Sequence, residues 1–480
     1  MKNKTLIIVL TTLILSGCGE DFLDLNPVSQ ANVGNFYKTE DDISNAVWGV
    51  YDILQQREMY GFTMLVATEN RSDNATVALQ ANEYADFDNF NIGNDNSIIN
   101  DLWNTHYSGI YRANVILERI GDVSMNEVLR DQYIGEVKFL RGLMYFNLVR
   151  LFGDIPLVLT EPSSIDEGYG HVRRPVAEVY QQIEQDLIDA SQILPDTYSG
   201  IDVGRATNGA ALGLLGKVQL TNQDFSAASN TLLEVINSGN YDLLTNYSDV
   251  FDPANSNHVE SLFEVQYKAG SSGEGSRYPN DAAPYQSGSA VVSVGDARGI
   301  YVPEANLINE FEVGDLRKDV TVAESYIDGG GNTVNVAYPT KLISQPFQSD
   351  DSDLNWFVLR YADVLLMYAE SLNEQGYIAD GDAFDYLNMI RDRAGLADLT
   401  SADLTNQSEF RIAVESERRL ELAFEGHRWF DLVRTGRYVP VMNSRGYIFT
   451  VEDYHRVYPI PQSQIDINPN VLTQNIGYLN

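Results

Sequence analysis

The sequence predicts a mainly α-helical protein, a scaffold of paired helices interrupted by one loop-rich insertion that contains short strands. Three observations carry that expectation. Apolar residues recur at three- and four-residue spacing through much of residues 39–240 and again through 356–435. Gly209, Gly213 and Gly216 fall at the same intervals within one helical stretch. Glycine weakens a helix interior by about 1 kcal/mol, so three in a row point to close backbone approach of a neighbour. Between about 241 and 355 the helical period is lost, and residues 269–295 fill with Gly, Ser, Pro and Tyr. Residues 39–480 are therefore expected to form a single domain, with 241–355 as its insertion.

Taken in order, the chain begins with Lys2 and Lys4 and then an uncharged run over residues 5–15. This is the charged and apolar layout of a secretory signal, and at about 1.5 Å per residue the run is too short to cross a bilayer. Leu15-Ser16-Gly17-Cys18 follows and holds the only cysteine of 480 residues. A small pair before cysteine at this distance resembles a bacterial lipobox. Residues 1–17 are accordingly read as a signal peptide and Cys18 as the lipidated first residue of the mature chain. Residues 18–38 would form a tether.

Thr39 and Asp42 form a capping box, opening a helix with the stripe Ile43, Ala46, Val47, Val50 and Leu54 that ends near Arg57. Residues 58–96 lose the period and read as a long surface loop. Trp103, Tyr107, Ile110, Asn114 and Leu117 then share one face, up to Gly121. Val137, Leu140, Met144, Leu148 and Leu151 form the next stripe, stopped by Gly153-Asp154-Ile155-Pro156. Pro175 opens a helix carrying Val179, Ile183, Leu187 and Ile188. Helices at about 205–222 and 224–238 adjoin across Asn222-Gln223-Asp224. Residues 261–267 alternate like a strand, and 325–355 read as loop and short strand. Helices resume at about 357–374, 383–393 and 408–425, the last with Ile412, Ser416, Leu420 and Phe424 inward and Gly426 as its stop. Such pairs resemble tetratricopeptide units, without a regular array.

Composition narrows the function. The net charge of −36 becomes −38 once the leader takes away Lys2 and Lys4 and no acid. A chain this acidic repels nucleic acid and anionic lipid, so membrane attachment falls to acyl chains. With Cys18 lipidated, no thiol is left for a disulfide, a zinc site or a nucleophile. The 28 tyrosines, against 19 Phe and 4 Trp, supply flat apolar faces with polar rims, suited to sugar rings and protein interfaces.

Several segments together resemble one family. Phe22-Leu23-Asp24-Leu25-Asn26-Pro27 follows the cysteine, then come Ile110-Tyr111-Arg112-Ala113-Asn114 and Glu136-Val137-Lys138-Phe139-Leu140-Arg141-Gly142. Later segments are Arg360-Tyr361-Ala362-Asp363-Val364-Leu365-Leu366, Glu417-Arg418-Arg419-Leu420-Glu421-Leu422 and Phe424-Glu425-Gly426-His427-Arg428-Trp429-Phe430-Asp431-Leu432. In this order, after a lipobox, they resemble the SusD/RagB family of outer-membrane nutrient-binding lipoproteins. The resemblance implies a tetratricopeptide-like scaffold bearing a variable loop face. It also implies a lid over a SusC-like TonB-dependent transporter, capturing oligosaccharides, or peptides in some members. Glu20-Asp21 resembles the surface-export signal of Bacteroidota lipoproteins, which places the protein on the cell exterior.

For a glycan, aromatic platforms must stand beside amides and carboxylates that bond hydroxyl groups. The first loop offers Tyr60, Phe62, Asp73, Asn74, Tyr84 and Phe87, the insertion Tyr278, Asp281, Tyr285 and Tyr301, and Trp356 stands just beyond. Tyr60, Asp73, Asn74, Tyr84, Tyr285, Trp356 and Arg360 are the candidate ligand residues, Arg360 as the cation that would meet an acidic sugar. The charges of 417–431 read instead as ion pairs locking a helix to its neighbours, and Arg360 lies in a segment of similar character. No catalytic residue, metal site or cofactor is expected. The five histidines are scattered, and no His-Glu-x-x-His, Gly-x-Ser-x-Gly or P-loop occurs. Carboxylate pairs abound among 68 acidic residues, so they do not mark a glycosidase, the remaining enzymatic alternative. Asp351-Ser352-Asp353-Leu354-Asn355 has the oxygen alternation of a calcium loop, but Trp356 and Ala362 stand where that loop needs Gly and Glu.

Overall fold

Helical order starts where the capping box places it. Thr39 Oγ1 accepts from the Asp42 amide at 3.2 Å, and the Asp42 carboxylate accepts from the Thr39 amide at 3.0 Å. Helix α1 (Glu40–Gln55) follows, with Ile43, Val47, Val50 and Leu54 buried as the stripe requires. The computed structural model describes residues 36–164, 167–168, 170–446, 449–467 and 469–478. The signal peptide, Cys18 and the tether up to residue 35 lie outside the described residues.

The same periodicity builds α2 (Ser97–Arg119), α3 (Glu127–Phe152), α4 (Val176–Ile193), α5 (Asn208–Thr221) and α6 (Phe225–Asn237). After the insertion come α7 (Tyr361–Gln375), α8 (Asp382–Arg393) and α9 (Gln407–Glu421). Each helix packs on the next, and α6 packs on α7 although the insertion separates them in sequence. Two apolar clusters result, one centred on α1–α5 and one on α6–α8. Val137, Leu140, Met144, Leu148 and Leu151 of α3 are each within 1% of complete burial. Every such side chain contributes roughly 1.5–3 kcal/mol to holding the helix in place.

The glycines of α5 serve a purpose slightly different from the expected one. A Cβ on Gly209 would meet the Tyr241 ring, on Gly213 the Leu359 and Leu262 methyls, and on Gly216 the Leu232 methyls. Neighbouring side chains, rather than backbone, occupy the space that the missing Cβ leaves.

Three expectations are corrected. Residues 58–96 are not a surface loop throughout. Helix Thr63–Thr68 is buried on all sides and residues 69–74 are buried after it. A six-residue segment enclosed all round shows no apolar stripe, which is why the period vanished. Trp356–Arg360 is strand, not the first turn of a helix, and pairs antiparallel with Ser261–Val265. Its aromatic and β-branched side chains suit a pleated, buried surface. Finally, α9 turns Phe410 and Val414 inward while Ile412 is exposed, because Glu417 and Glu421 take inner positions against buried arginines.

The insertion is tied into the helical body at several points. Its strand Ser261–Val265 joins the Trp356–Arg360 ladder, and Val302–Pro303 pairs with Ala75–Thr76 from the first block. Short helices Tyr278–Ala282 and Ala305–Glu310 lie between them.

Candidate functional site

Behind the loops lies a lattice of buried charge, and it claims most of the polar candidates. Asp73 accepts from Arg428 Nε at 2.7 Å and Nη2 at 2.9 Å, and Arg419 Nη2 lies 3.2 Å away. Burial pushes the Asp73 carboxyl up, but the two guanidinium charges outweigh it and hold it at about 2. Asn74 accepts from Arg419 Nε at 2.9 Å and donates to Glu69 Oε2 at 3.1 Å. Arg360 donates to Glu425 at 2.7 Å, Glu260 at 2.8 Å and Glu421 at 2.6 Å, and is itself fully buried. Arg393 shares that Glu421 oxygen, and Arg317 lies 3.3 Å from the other. An isolated charge at this depth would be strongly disfavoured, so each acid and base here requires its partner.

The aromatic candidates divide. Tyr60 is buried and its hydroxyl accepts from Asn147 Nδ2 at 2.8 Å. Trp356 is buried against Tyr278, ring centroids 4.9 Å apart. Both line a small cavity of ≈ 30 Å³, which has room for water and not for a sugar ring. Tyr60, Asp73, Asn74, Trp356 and Arg360 are therefore corrected from ligand-facing positions to the packed interior. In each case the side chain that looked available in the sequence is satisfied by a residue distant along the chain. Phe62, Phe87, Tyr278 and Tyr301 are likewise buried.

Tyr84 and Tyr285 remain outside. Tyr84 is half-buried, standing edge-on to Phe62 at 5.1 Å. Tyr285 is 40% exposed. Three loops assemble around it. The Ala78 amide donates to Gly299 O at 2.9 Å, which brings residues 77–81 against 283–299. Gly299 has φ +59, and a Cβ there would strike Ala78 and the Tyr285 amide, so glycine permits this junction. Gln345 bonds both Ser293 and Val291, Arg298 bonds Asp350 at 2.6 Å, and the Asp350 amide donates to Asn280 Oδ1, which fastens residues 344–350 beside them. Asp281, fully buried, pins Arg277 and Arg298 from below.

These loops expose Leu79, Tyr285, Val294 and Phe347 to solvent, with side-chain amides such as Gln80, Gln286 and Gln348 exposed in the same segments. Flat apolar surface next to hydrogen-bonding groups is what stacking on a sugar ring demands. Sequence reasoning missed Leu79, which ends the short apolar run Val77-Ala78-Leu79, and Phe347, which stands between Pro346 and Gln348 in a polar loop. The acidic turn is no ion cage: Asp351 accepts from the Gly270 and Ser271 amides, and Asp353 from the Ala269 amide and Lys268. Among the described residues no group of three His, Cys, Asp or Glu is placed to hold a metal.

Two family models match this chain. One, described as the SusD family, covers residues 323–478. The other, described as starch-binding and associating with the outer membrane, covers residues 21–220. The chain belongs to the SusD family. Its paired helices are the tetratricopeptide-like scaffold of that SusD fold. A SusD-like protein of Formosa agariphila is 29% identical over 534 aligned positions that span 100% of both chains. The starch-binding protein SusD of Bacteroides thetaiotaomicron is 26% identical over 77% of this chain and 76% of its own. A solved laminarin-binding SusD-like protein is 28% identical, with a TM-score of 0.80 over 92% of this chain and 100% of that one. Among the described residues, no helix is long and apolar enough to cross a membrane.

Proposed function

We propose that this protein is a non-catalytic glycan-binding lipoprotein of the outer-membrane surface, anchored through Cys18. It captures oligosaccharide on the loop face around Tyr285 and Tyr84 and delivers it to a SusC-like TonB-dependent transporter, over which it sits as a lid. The observation that carries this reading is the end-to-end likeness to a laminarin-binding SusD-like structure, combined with an exposed aromatic at the junction of three loops. Stacking on Tyr285 would hold a ring, and the surrounding amides would select its hydroxyl pattern. Lipid attachment at Cys18 would supply the membrane affinity that a strongly acidic chain lacks.

Isothermal titration of the folded mature chain against laminarin, starch and acidic oligosaccharides tests the reading, with reducing ends followed in parallel. Heat of binding without new reducing ends is expected. Silence across the panel would favour peptide cargo, and release of reducing ends would favour a glycoside hydrolase.

A further inference from the structure

We propose a second carbohydrate-contacting site on the helical side of the molecule, in the groove between α1 and the strand Ser261–Val265, with Trp48 as its stacking platform. The proposal rests on the glycan-binding reading and adds to it a separate place of contact on different elements. Trp48 is 41% exposed, whereas Trp103, Trp356 and Trp429 are buried. It lies off the inner stripe of α1, so packing of that helix does not account for an indole there.

The ring is held in one pose. The Arg205 guanidinium lies 3.9 Å from its centroid, and Tyr51 stands tilted at 5.7 Å. Arg205 is itself fixed by buried Glu136 at 2.8 Å and by Asp202 at 2.7 Å. A platform already immobilised loses little entropy when a ligand stacks on it. The uncovered part of the indole lines a groove of ≈ 270 Å³ together with Asp52, Gln55 and Glu274. The Gln55 amide is oriented by a bond from its Nε2 to Gln266 O at 2.5 Å, which leaves its oxygen as an acceptor. Asp52 meets Arg112 only at 3.8 Å, and Glu274 is exposed. These are acceptors for hydroxyl groups beside an aromatic plane.

Beside the groove lies a second hollow of ≈ 190 Å³ that shares Val203, Gly204, Phe263 and Glu264 with the first. Gly204 has φ +99, and a Cβ there would come within 2.8 Å of the Gln266 side chain, so glycine is required between the two hollows. Two adjoining hollows suit consecutive units of a chain rather than a single sugar. Its acidic rim selects a neutral pyranose chain over an anionic one.

Affinity electrophoresis of the full mature chain through gels containing laminarin, starch or xylan tests this, with wild type, Trp48→Ala and Trp48→Phe run together. The polysaccharide that retards wild type is expected to retard Trp48→Ala about fivefold less, with Trp48→Phe between them and all three melting alike. Equal retardation of wild type and Trp48→Ala would overturn the second site and leave the glycan-binding reading standing. The same holds if Trp48→Ala weakens only association with the transporter. Wild type retarded by none of the three would overturn the neutral-glycan reading and this site with it.

Discussion

Asp73 illustrates how a residue in this protein is claimed by partners far along the chain. Arg419 and Arg428 approach it from more than three hundred residues away. Removing the carboxylate in Asp73→Ala leaves Arg419 with Glu310 and Arg428 with Glu415 as carboxylate partners, so the expected loss is about 3 kcal/mol, the lower end for breaking a buried pair, read as a lower urea midpoint. The pH profile follows from groups of the same kind. Burial holds His106 and His455 near 4 and, with the Lys217 charge, His427 near 3, all below the ordinary value of 6.5. Each binds a proton more readily when unfolded, so stability is lost as pH falls below 6.5. Asp73 adds to that loss below 3.8. Glu69 runs the other way: burial raises it to about 7, so its share of stability falls as pH rises from 4.5 through 7. Glu136, raised by burial, acts with Glu69, but each of the three histidines lies at least as far from its ordinary value as Glu69 does, and His427 further. Thermal scans are therefore predicted to show the melting temperature rising from pH 4 to 6.5. A flat profile would contradict these assignments. The sequence let the ion pairs of 417–431 be read as architecture. It also hinted at Arg360, but could not show that Asp73 and Asn74 join the same lattice, because only the fold brings them to it.

At the scale of elements, periodicity made the long helices legible, since each buries one stripe and exposes the rest. It failed where burial is two-sided. Trp356–Arg360 and Thr63–Thr68 are enclosed, show no alternation of exposure, and were misread for that reason. Gly213 of α5 offers a test in which two effects oppose. Alanine is favoured over glycine in a helix by about 1 kcal/mol. A Cβ at Gly213, however, would stand 2.6 Å from Leu359 Cδ2 and 2.7 Å from Leu262 Cδ2, both in the packed core. Overpacking of this kind costs about 1–3 kcal/mol, so Gly213→Ala is predicted to be net destabilising by denaturant titration. A gain in stability would mean that the two leucines move aside freely.

For the whole molecule, the division is between a rigid body and what it carries. The helical array and charge lattice hold three loops in register, and those loops present Tyr285, Leu79 and Phe347. Their assembly into one face was not readable from sequence, where the three segments lie up to 270 residues apart. A leader and its cysteine are local in sequence, so the proposed anchor rests on residues 1–18 alone. Cys18→Ala is predicted to shift the protein from the membrane fraction to the soluble fraction while its ligand affinity stays unchanged. Retention in membranes lacking the transporter would refute the lipid anchor.

The central claim is capture of a glycan on the loop face. A glycan array probed with the mature chain and with Tyr285→Ala side by side meets it most directly. Wild type is predicted to bind a defined class of oligosaccharides, and Tyr285→Ala to bind the same class at least tenfold more weakly, a difference of about 1.4 kcal/mol or more. Capture by both proteins alike, or by neither, would contradict the account.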